Sequence, residues 1–586
     1  MKIVMTLLKI LVFLLMAAWL ELNHHTLAGW FLTAAAVIGY LWLTRRYVRT
    51  WQKAGLFLCL LAVFALIVAV TWPPVKAVPA VNAKNPEQTE IRTVSDGKVR
   101  GVYMADGAVE VYAGIPYAAP PVGDLRWQEP QDPEPWQDIL EADHFAPMSM
   151  QPVNLPAYDS LARIIGYHDY EISLQDNYRT PVSEDSLYLN IWKPAGAEKD
   201  LPVLVYVHGG SLQTGQPWYE DYSGEGLARQ GVIVVNMGYR LGVFGFFADE
   251  ELQAESGHHT TGNYGLLDMI KALEWVQENI AAFGGDPGNV TLAGESAGAA
   301  AVSALCTSEP AAGLFQRVIL ESSTVAGIRP PHSYRSFADA LSSGADLKQR
   351  HGVSSVAQLR ALTAEELVAE ASTQHHITVD GYVLKADPYQ LYRQGIHNEA
   401  AILHGYNAQE SAPFLLFSKT DLKNYRARVE AYFGEYTEDV LAICNPQTDE
   451  EAAAMWADIY GAVFFNYSHY CLNRLAAENN IPVYEYYFDR DNGRLGSWHS
   501  GEEVYCYDNI PAGSRLYDET DRQLAKIMSG YWADFAKSGD PNREGLPVWK
   551  ENMDSRSLLK LSAETEMMTE PYLPLYEVLD RMYGWK

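Results

Sequence analysis

The stretch "TLAGESAGAA" at residues 291–300 places Glu295 and Ser296 between glycines, directly after an apolar run. The run before it predicts a buried strand, and the Ala-rich run after it predicts a helix. A sharp turn from strand to helix needs small residues, because the neighbouring backbone approaches closely there. The G-x-S-x-G pattern therefore indicates an α/β chain that presents the Ser296 hydroxyl at the carboxyl end of a sheet strand.

The surrounding chain favours the same architecture. The stretches "LPVLVYVHGG" (201–210) and "GVIVVNMGYR" (231–240) are dense in Val and Ile, which is typical of buried parallel strands. Between them and Ser296, residues 266–285 carry apolar residues at helical spacing and stop at paired glycines. Strands that alternate with helices predict a central, mostly parallel sheet flanked by helices.

Three apolar runs at residues 3–20, 27–43 and 54–72 precede this region, and only Lys9 interrupts them. Each run has about the length that spans a bilayer, so residues 1–72 are predicted to form three transmembrane helices. A cleaved signal peptide is the alternative for the first run. No small-residue cleavage pattern follows Leu20, and two further runs come at once, which favours a membrane span.

Positive charge between the runs predicts the orientation of these helices. Arg45, Arg46, Arg49 and Lys53 lie between the second and third runs, whereas the first connection, "ELNHHT", has neither Lys nor Arg. Because Lys and Arg next to a span tend to stay in the cytoplasm, everything after the third run is predicted to lie outside. The expected protein is a multi-pass cell-membrane protein with a Pro-rich extended linker at 73–94 and an extracytoplasmic domain at 95–586.

Charge separates the two parts. Residues 1–85 carry a net charge of +7, and the rest of the chain carries −36. A domain so acidic is not expected to bind nucleic acid, and the lipid bilayer is expected to be a partner through the N-terminal helices alone. The five cysteines have neither close pairing nor metal-type spacing, so the sequence predicts no disulfide framework and no zinc site.

A serine hydroxyl becomes a nucleophile only with a base, which an acid must orient. The sequence has fifteen histidines, too many to choose among by residue type. An oxyanion that forms during acyl transfer needs N–H donors, and the helix N-terminus after Ser296 offers some. The Gly-rich turn "VHGGSLQTG" (207–215) after an earlier strand has the form of the other half of an oxyanion hole.

From about residue 95 to its C-terminus the chain resembles the type B carboxylesterase family, which includes p-nitrobenzyl esterase-like enzymes, cholinesterases and the non-catalytic neuroligins. The resemblance implies an α/β-hydrolase fold that needs neither metal nor cofactor. The matching stretches are "VYAGIPYAAPPVGDLRW" (111–127), "SEDSLYLNIWKP" (183–194), "NMGYRLGVFGFF" (236–247), "GNYGLLDMIKALEWVQENIAAFGGDPGNVTLAGESAGA" (262–299), "GLFQRVILESS" (313–323) and "SGDPNREGLPVW" (538–549).

The resemblance implies a catalytic triad. The family's acid lies in a G-x-N-x-x-E pattern, which "LHGYNAQES" places on Glu410, and its base lies in an H-x-x-E pattern, which "GSWHSGEEVY" places on His499. The order Ser296, Glu410, His499 is the one expected of an α/β-hydrolase. By the same resemblance, the oxyanion donors are the backbone N–H groups of three residues: Gly210, Ser211 and Ala297.

The chain departs from the family at three serines. Ser211 stands where a third glycine is commoner, and we expect its side chain to narrow the acyl side of the pocket. Ser149 and Ser186 stand where the family frequently has a disulfide, so the 149–186 loop is expected to lack this cross-link and to be mobile. This loop has no Trp, and a cholinesterase-like cation site is therefore not expected.

Other matches imply structural roles. Arg126 with Glu184, and Arg240 with Asp268, resemble the family's internal ion pairs. Glu295, next to the candidate nucleophile, is expected to help to orient the site from behind.

These features predict a serine carboxylic-ester hydrolase that acts on small to medium esters through an acyl-enzyme. Two alternatives stay open at this point. One is a membrane-tethered, non-catalytic binding module of the neuroligin kind, because a fold alone does not determine a function. The other is a hydrolase that prefers carbamates, lactones or longer lipid esters, since pocket shape decides such preferences.

Overall fold

The structure is a computed structural model, and it divides into two compact units, of which the first holds Met1–Val78 and the second holds most of the remaining chain. The predicted domain limits at residues 72 and 94 stay predictions. The described residues are 2–23, 25–47, 49–72, 78, 80–81, 87–152, 181–196, 199–327, 334–369, 376–491, 496–512, 514, 516–552 and 556–585.

The described residues of the first unit include three helices, Lys2–Leu22, Leu27–Arg46 and Thr50–Val70. A small buried cluster that includes Met16, Tyr40 and Leu60 holds them together. Their outward side chains are apolar and exposed, as at Phe31, which is 74% exposed. This unit therefore has little core of its own and a large apolar surface.

Two of these helices, Leu27–Arg46 and Thr50–Val70, are long and apolar enough to cross a membrane by length and composition. The prediction of three such spans exceeds what the described residues support. The helix Lys2–Leu22, predicted as the span 3–20, is not among them, and Lys9 lies within the predicted span. Charged groups are costly in the hydrocarbon core of a bilayer.

The second unit contains an 11-stranded sheet among the residues described, with the order β18-β17-β16-β15-β12-β11-β9-β10-β8-β4-β3. Smaller sheets form from β1, β2 and β5, from β6 and β7, and from β13 and β14. The strands are Arg92–Val94 (β1), Gly97–Arg100 (β2), Val102–Tyr103 (β3), Val109–Pro116 (β4), Ile139–Glu141 (β5), Met148–Ser149 (β6), Val182–Ser183 (β7), Tyr188–Pro194 (β8), Leu201–Val207 (β9), Ile233–Met237 (β10), Gly285–Glu295 (β11), Arg317–Glu321 (β12), Tyr334–Ser336 (β13), Ile377–Val379 (β14), Ala401–Asn407 (β15), Val483–Phe488 (β16), Ser557–Leu561 (β17) and Glu566–Thr569 (β18).

The prediction of a central, mostly parallel sheet is confirmed. Strands β10, β9, β11, β12, β15, β16 and β17 pair in parallel, and antiparallel pairs extend both edges of the sheet. Alternate residues of β9 belong to different cores, with Val203 and Val205 on one face and Leu204 and Tyr206 on the other. Because helices cover both faces, each central strand is apolar at nearly every position.

Helices of the second unit pack on both faces of the sheet. The core that includes Val203 contains Leu273 of the helix Tyr264–Asn279, and the opposite core contains Trp532 of the helix Glu519–Ser538. The helices are Glu225–Ala228, Gly242–Phe246, Glu250–Glu255, Tyr264–Asn279, Ala297–Leu305, Phe337–Arg350, Val356–Arg360, Ala364–Val368, Pro388–Arg393, Ala412–Leu415, Leu422–Phe433, Thr437–Ile443, Asp449–Gly461, Tyr467–Asn479, Glu503–Cys506, Glu519–Ser538 and Leu573–Tyr583, with a π-helical turn at Ala462–Asn466.

Both predicted ion pairs are confirmed. The Arg126 guanidinium lies 2.6 Å from Glu184, and that of Arg240 lies 2.7 Å from Asp268. The predicted mobile loop at 149–186 lies largely outside the described residues. At its start, Ser149 Oγ donates a 2.6 Å hydrogen bond to the Tyr239 carbonyl, so this serine has a partner of its own.

Replacing Asp268 with alanine is expected to lower the free energy of unfolding by about 3–5 kcal/mol, because Arg240 would remain buried without its counter-charge. Asp268 is fully buried and accepts bonds from the backbone N–H, Nε and Nη2 of Arg240. Denaturant unfolding followed by Trp fluorescence measures the change. The matched control is Asp439→Ala, which breaks an ion pair with Arg581 that is half exposed on both sides, and an equal loss in both variants would contradict the prediction.

Candidate active site

Ser296 occupies the turn between β11, which ends at Glu295, and the helix Ala297–Leu305. The close approach explains the two glycines of the pattern. A Cβ atom on Gly294 would lie 2.7 Å from the Gly298 carbonyl carbon, and one on Gly298 would lie 2.1 Å from the Val207 carbonyl oxygen. Both distances are far shorter than van der Waals contact, so only glycine fits at either position.

The backbone of Ser296 is strained, with φ 52° and ψ −124°. A non-glycine residue in such a region costs about 1–3 kcal/mol and persists only where its surroundings hold it, most often at functional sites. Here the Ser296 N–H donates a 2.8 Å hydrogen bond to the carbonyl of Glu321, at the end of the neighbouring strand β12. The conformation therefore belongs to the fold and keeps the hydroxyl at the carboxyl edge of the sheet.

The structure brings the three predicted triad residues together. His499 Nε2 lies 2.8 Å from Ser296 Oγ, and His499 Nδ1 lies 2.6 Å from Glu410 Oε2. Glu410 is 1% exposed and His499 is 8% exposed, whereas Ser296 is only half-buried. The imidazole thus lies between a buried carboxylate and a hydroxyl that a substrate can reach.

Two loops after parallel strands create this arrangement. Glu410 follows β15, and its Oε1 accepts a 2.8 Å bond from the backbone N–H of Asn407. The Gln409 N–H donates to the Ser497 carbonyl at 2.9 Å, and Asn407 Nδ2 donates to the Trp498 carbonyl at 2.8 Å. These bonds hold the loop that carries Glu410 against the loop that carries His499. They also give Asn407, the asparagine of the G-x-N-x-x-E pattern, a physical role.

The turn that carries two of the predicted oxyanion donors, Gly210 and Ser211, begins beside the serine. β9 ends at Val207, which pairs with Gly294 of β11, so the turns that follow these two strands are neighbours. A Cβ atom on Gly209 would lie 3.1 Å from Ser296 Cβ.

The backbone N–H groups of the three predicted donors, Gly210, Ser211 and Ala297, donate no hydrogen bond to any residue that the structure describes. Ser211 has φ 57°, in the left-handed region, and its side chain is exposed. The turn therefore leaves unused donors where an oxyanion hole is predicted.

Buried carboxyl groups lie behind the triad. Glu295 Oε1 lies 3.4 Å from His499 Nε2 and accepts a 2.6 Å hydrogen bond from Ser500 Oγ. Burial, reinforced by the nearby charges of Glu503 and Glu502, raises the pKa of Glu295 well above its usual range. A carboxyl group that keeps its proton adds no negative charge beside Nε2, the atom that has to accept a proton from the serine.

Glu502 is expected to make stability depend on pH. Burial, with the charge of Glu410, raises the pKa of Glu502 from 4.5 to about 7. The folded chain therefore holds this proton more tightly than the unfolded chain, and the stability gained at low pH is lost as the pH rises through about 7. Melting temperatures from pH 5 to pH 8 should fall less steeply in Glu502→Gln than in the unaltered protein, and the exposed control Glu564→Gln should follow the unaltered protein. Parallel slopes in all three proteins would contradict this assignment.

Several residues of this region were not singled out by the sequence. Ser322 Oγ donates a 2.9 Å hydrogen bond to Glu502 Oε1, which connects the end of β12 to the loop that carries His499. Phe414 and Phe465 lie against the His499 ring, with ring centroids at 5.3 and 4.8 Å. Phe465 comes from a helix with no distinguishing local pattern, so no sequence signal could have placed it here.

Comparisons with known proteins give a consistent result. The model of the carboxylesterase family matches residues 88–576. The fumonisin B1 esterase of Sphingopyxis macrogoltabida is 34% identical over 500 residues, which cover 81% of this chain and 86% of the relative. Carboxylesterase 1E of Mus musculus is 31% identical over 536 residues, which cover 83% and 92%. A medium-chain fatty acyl-CoA hydrolase precursor of Anas platyrhynchos is 32% identical over 523 residues, which cover 80% and 88%.

The fold is shared with a solved esterase. The structure of PNB esterase superposes with a TM-score of 0.69 at 28% identity, and the match covers 84% of this chain and 99% of that one. The predicted α/β-hydrolase fold is thereby confirmed, as is the predicted reaction class of a serine carboxylic-ester hydrolase. On the family match and on the identities to these esterases, the chain belongs to the carboxylesterase family.

Proposed function

We propose that Ser296, His499 and Glu410 are the catalytic triad of this esterase. His499 Nε2 takes the proton of Ser296 as its Oγ attacks the ester carbonyl, and Glu410 holds the tautomer that leaves Nε2 free. The negative charge on the tetrahedral carbonyl oxygen is stabilised by the backbone N–H groups of Gly210, Ser211 and Ala297, in a site where preorganised donors contribute strongly.

The second half of the reaction uses the same groups. His499 gives its proton to the leaving alcohol, and the acyl group stays on Ser296 Oγ as an ester. His499 then takes a proton from water, which attacks the acyl-enzyme, and the imidazolium returns that proton to Ser296 Oγ as the carboxylic acid leaves. This chemistry uses residues of the chain alone. The proposed substrates are small to medium carboxylic esters.

The observation that carries this proposal is the pair of hydrogen bonds that links Glu410 to His499 at 2.6 Å and His499 to Ser296 at 2.8 Å. A common acyl-enzyme has a kinetic signature that tests it. With methanol added, the full chain in detergent should convert p-nitrophenyl acetate and phenyl acetate into methyl acetate and acetate in the same ratio. A ratio that depends on the leaving group would contradict a shared intermediate.

The alternatives are less well supported. A non-catalytic module has no need for the strained serine or for the hydrogen-bonded row that ends on it. The relatives compared are named for esterase or acyl-CoA hydrolase activity, which favours carboxylic-ester chemistry over carbamate or lactone hydrolysis. Release of both products from simple acetate esters distinguishes the esterase from the non-catalytic module, and ratios of kcat/KM for acetates, longer lipid esters, carbamates and lactones distinguish it from the other hydrolases.

The proposal includes a cellular location for the enzyme. Two apolar helices, Leu27–Arg46 and Thr50–Val70, support anchoring in a lipid bilayer, and the four basic residues at 45–53 favour a cytoplasmic connection between them. We propose a multi-pass cell-membrane protein whose esterase domain lies on the extracytoplasmic side. Protease added to intact cells should digest the domain 95–586, and its full protection while the membrane is intact would contradict this orientation.

A further inference from the structure

Two phenylalanine rings flank the imidazole of the proposed base. Phe414, from the helix Ala412–Leu415, has its ring centroid 5.3 Å from His499, and Phe465 has its centroid 4.8 Å away. The two phenylalanine rings are 5.4 Å apart, with an interplanar angle of 34°. Phe414 is 49% exposed and Phe465 is half-buried, so both rings are partly accessible to solvent beside the imidazole.

The Phe465 ring belongs to a π-helical turn. The segment Ala462–Asn466 lies between the helices Asp449–Gly461 and Tyr467–Asn479. A π turn has hydrogen bonds between residues i and i+5, and it occurs frequently at functional sites. It begins next to Glu410, since a Cβ atom on Gly461 would lie 3.9 Å from Glu410 Cβ. The neighbouring ring of the turn, Phe464, stacks on Tyr460 with ring centroids 4.3 Å apart.

The reaction geometry decides which part of a substrate meets these rings. This step rests on the proposed function. The leaving oxygen has to come within hydrogen-bond reach of His499 Nε2 to receive its proton. The carbonyl oxygen has to point instead toward the turn at residues 209–211. The alcohol half of the ester therefore lies on the imidazole side, where Phe414 and Phe465 are, and the acyl half lies away from them.

We propose that Phe414 and Phe465 form an alcohol subsite that selects esters of aromatic or bulky apolar alcohols over esters of short alkyl alcohols. The separations between the rings and their angled arrangement suit edge-to-face and tilted contacts with a third ring, which are favourable at centroid distances of about 4.5–7 Å. Neither ring supplies a proton or a charge, so they determine specificity and do not take part in the chemical step. The acyl preference of the enzyme is independent of them.

The test compares esters that differ in one half only. Benzyl acetate and ethyl acetate share an acyl group, and both release an alkoxide-type alcohol, whereas benzyl acetate and benzyl butyrate share the alcohol. With the full chain in detergent, Phe414→Leu and Phe465→Leu should each lower the benzyl-to-ethyl ratio of kcat/KM about tenfold, the usual scale for lost pocket contacts. The acetate-to-butyrate ratio for the benzyl esters should stay constant.

Two matched controls separate specificity from general damage. Phe464→Leu changes a ring of the same π turn that stacks on Tyr460, and Phe417→Leu changes a ring that is 98% exposed three residues after Phe414. Both controls should keep the benzyl-to-ethyl ratio of the unaltered protein. An unchanged ratio in Phe414→Leu and Phe465→Leu, or an equal fall in the acyl ratio, would overturn the subsite while leaving the triad in place. Loss of the proposed function itself would appear differently, as hydrolysis of both acetates that survives in Ser296→Ala.

Discussion

Replacing Ser296 with alanine is expected to lower kcat/KM for p-nitrophenyl acetate by about 10⁴-fold or more, since the proposed acyl-enzyme forms on the Ser296 Oγ atom. The Oγ atom is the only part of the side chain that the substitution removes. It accepts or donates one hydrogen bond, at 2.8 Å to His499 Nε2, among the contacts described. The strained backbone at this residue tolerates a Cβ atom already, so the alanine variant should fold normally.

Ser303→Ala is the matched control for that change. Ser303 is buried in the helix that follows Ser296, Ala297–Leu305, and its Oγ bonds Thr324 Oγ1 at 2.8 Å rather than the proposed base. Its activity should stay within about threefold of the unaltered protein, as for a residue away from the reacting atoms. Equal activity in Ser296→Ala and the unaltered protein would exclude Ser296 as the nucleophile.

Replacing Glu410 with glutamine is expected to lower kcat about 10³- to 10⁴-fold with a small change in KM, because the amide favours the wrong imidazole tautomer. The carboxylate accepts the Nδ1–H of His499 at 2.6 Å and so leaves Nε2 unprotonated. A glutamine NH₂ group at the same place donates to Nδ1 instead, which puts the proton on Nε2 and blocks its role as a base. The amide oxygen can still accept the bond from the Asn407 N–H, so the loop should keep its shape.

Glu399→Gln controls for the loss of a buried carboxyl group. Glu399 is 2% exposed and accepts a 2.7 Å bond from the Tyr392 hydroxyl, with no contact to the triad among the described residues. Steady-state kinetics on one p-nitrophenyl ester measure both variants. A loss of less than tenfold in Glu410→Gln, or the same loss in Glu399→Gln, would contradict the orienting role of Glu410.

Much of the fold could be predicted because local patterns and long-range packing agree. Strands such as β9 and β11 are apolar at nearly every position, and the glycines at 294 and 298 fit a turn that leaves no room for a Cβ atom. The polar sites were predicted less directly. Glu410 and His499 lie 89 residues apart in sequence, and only a family pattern, not a local rule, relates them.

The remaining features depend on contacts that no local pattern records. One example is the π turn at Ala462–Asn466, which holds Phe465. Its position follows from how this helical segment packs beside β15 and the loop that carries Glu410. The elevated pKa of Glu502 follows from the burial of carboxyl groups that arrive from separate segments. For the membrane segments the sequence predicted too much, because composition alone indicated three spans, and among the described residues two helices meet the criteria of length and hydropathy.

The most direct test of the account is to identify the residue that becomes covalently modified. Diethyl p-nitrophenyl phosphate reacts with an activated serine, which displaces p-nitrophenolate and keeps the diethyl phosphoryl group on Oγ. Mass spectrometry of the full chain should find one such group, on the peptide that contains Ser296, and none in Ser296→Ala. A label on another residue, or the same label in Ser296→Ala, would contradict the proposal that Ser296 is the nucleophile.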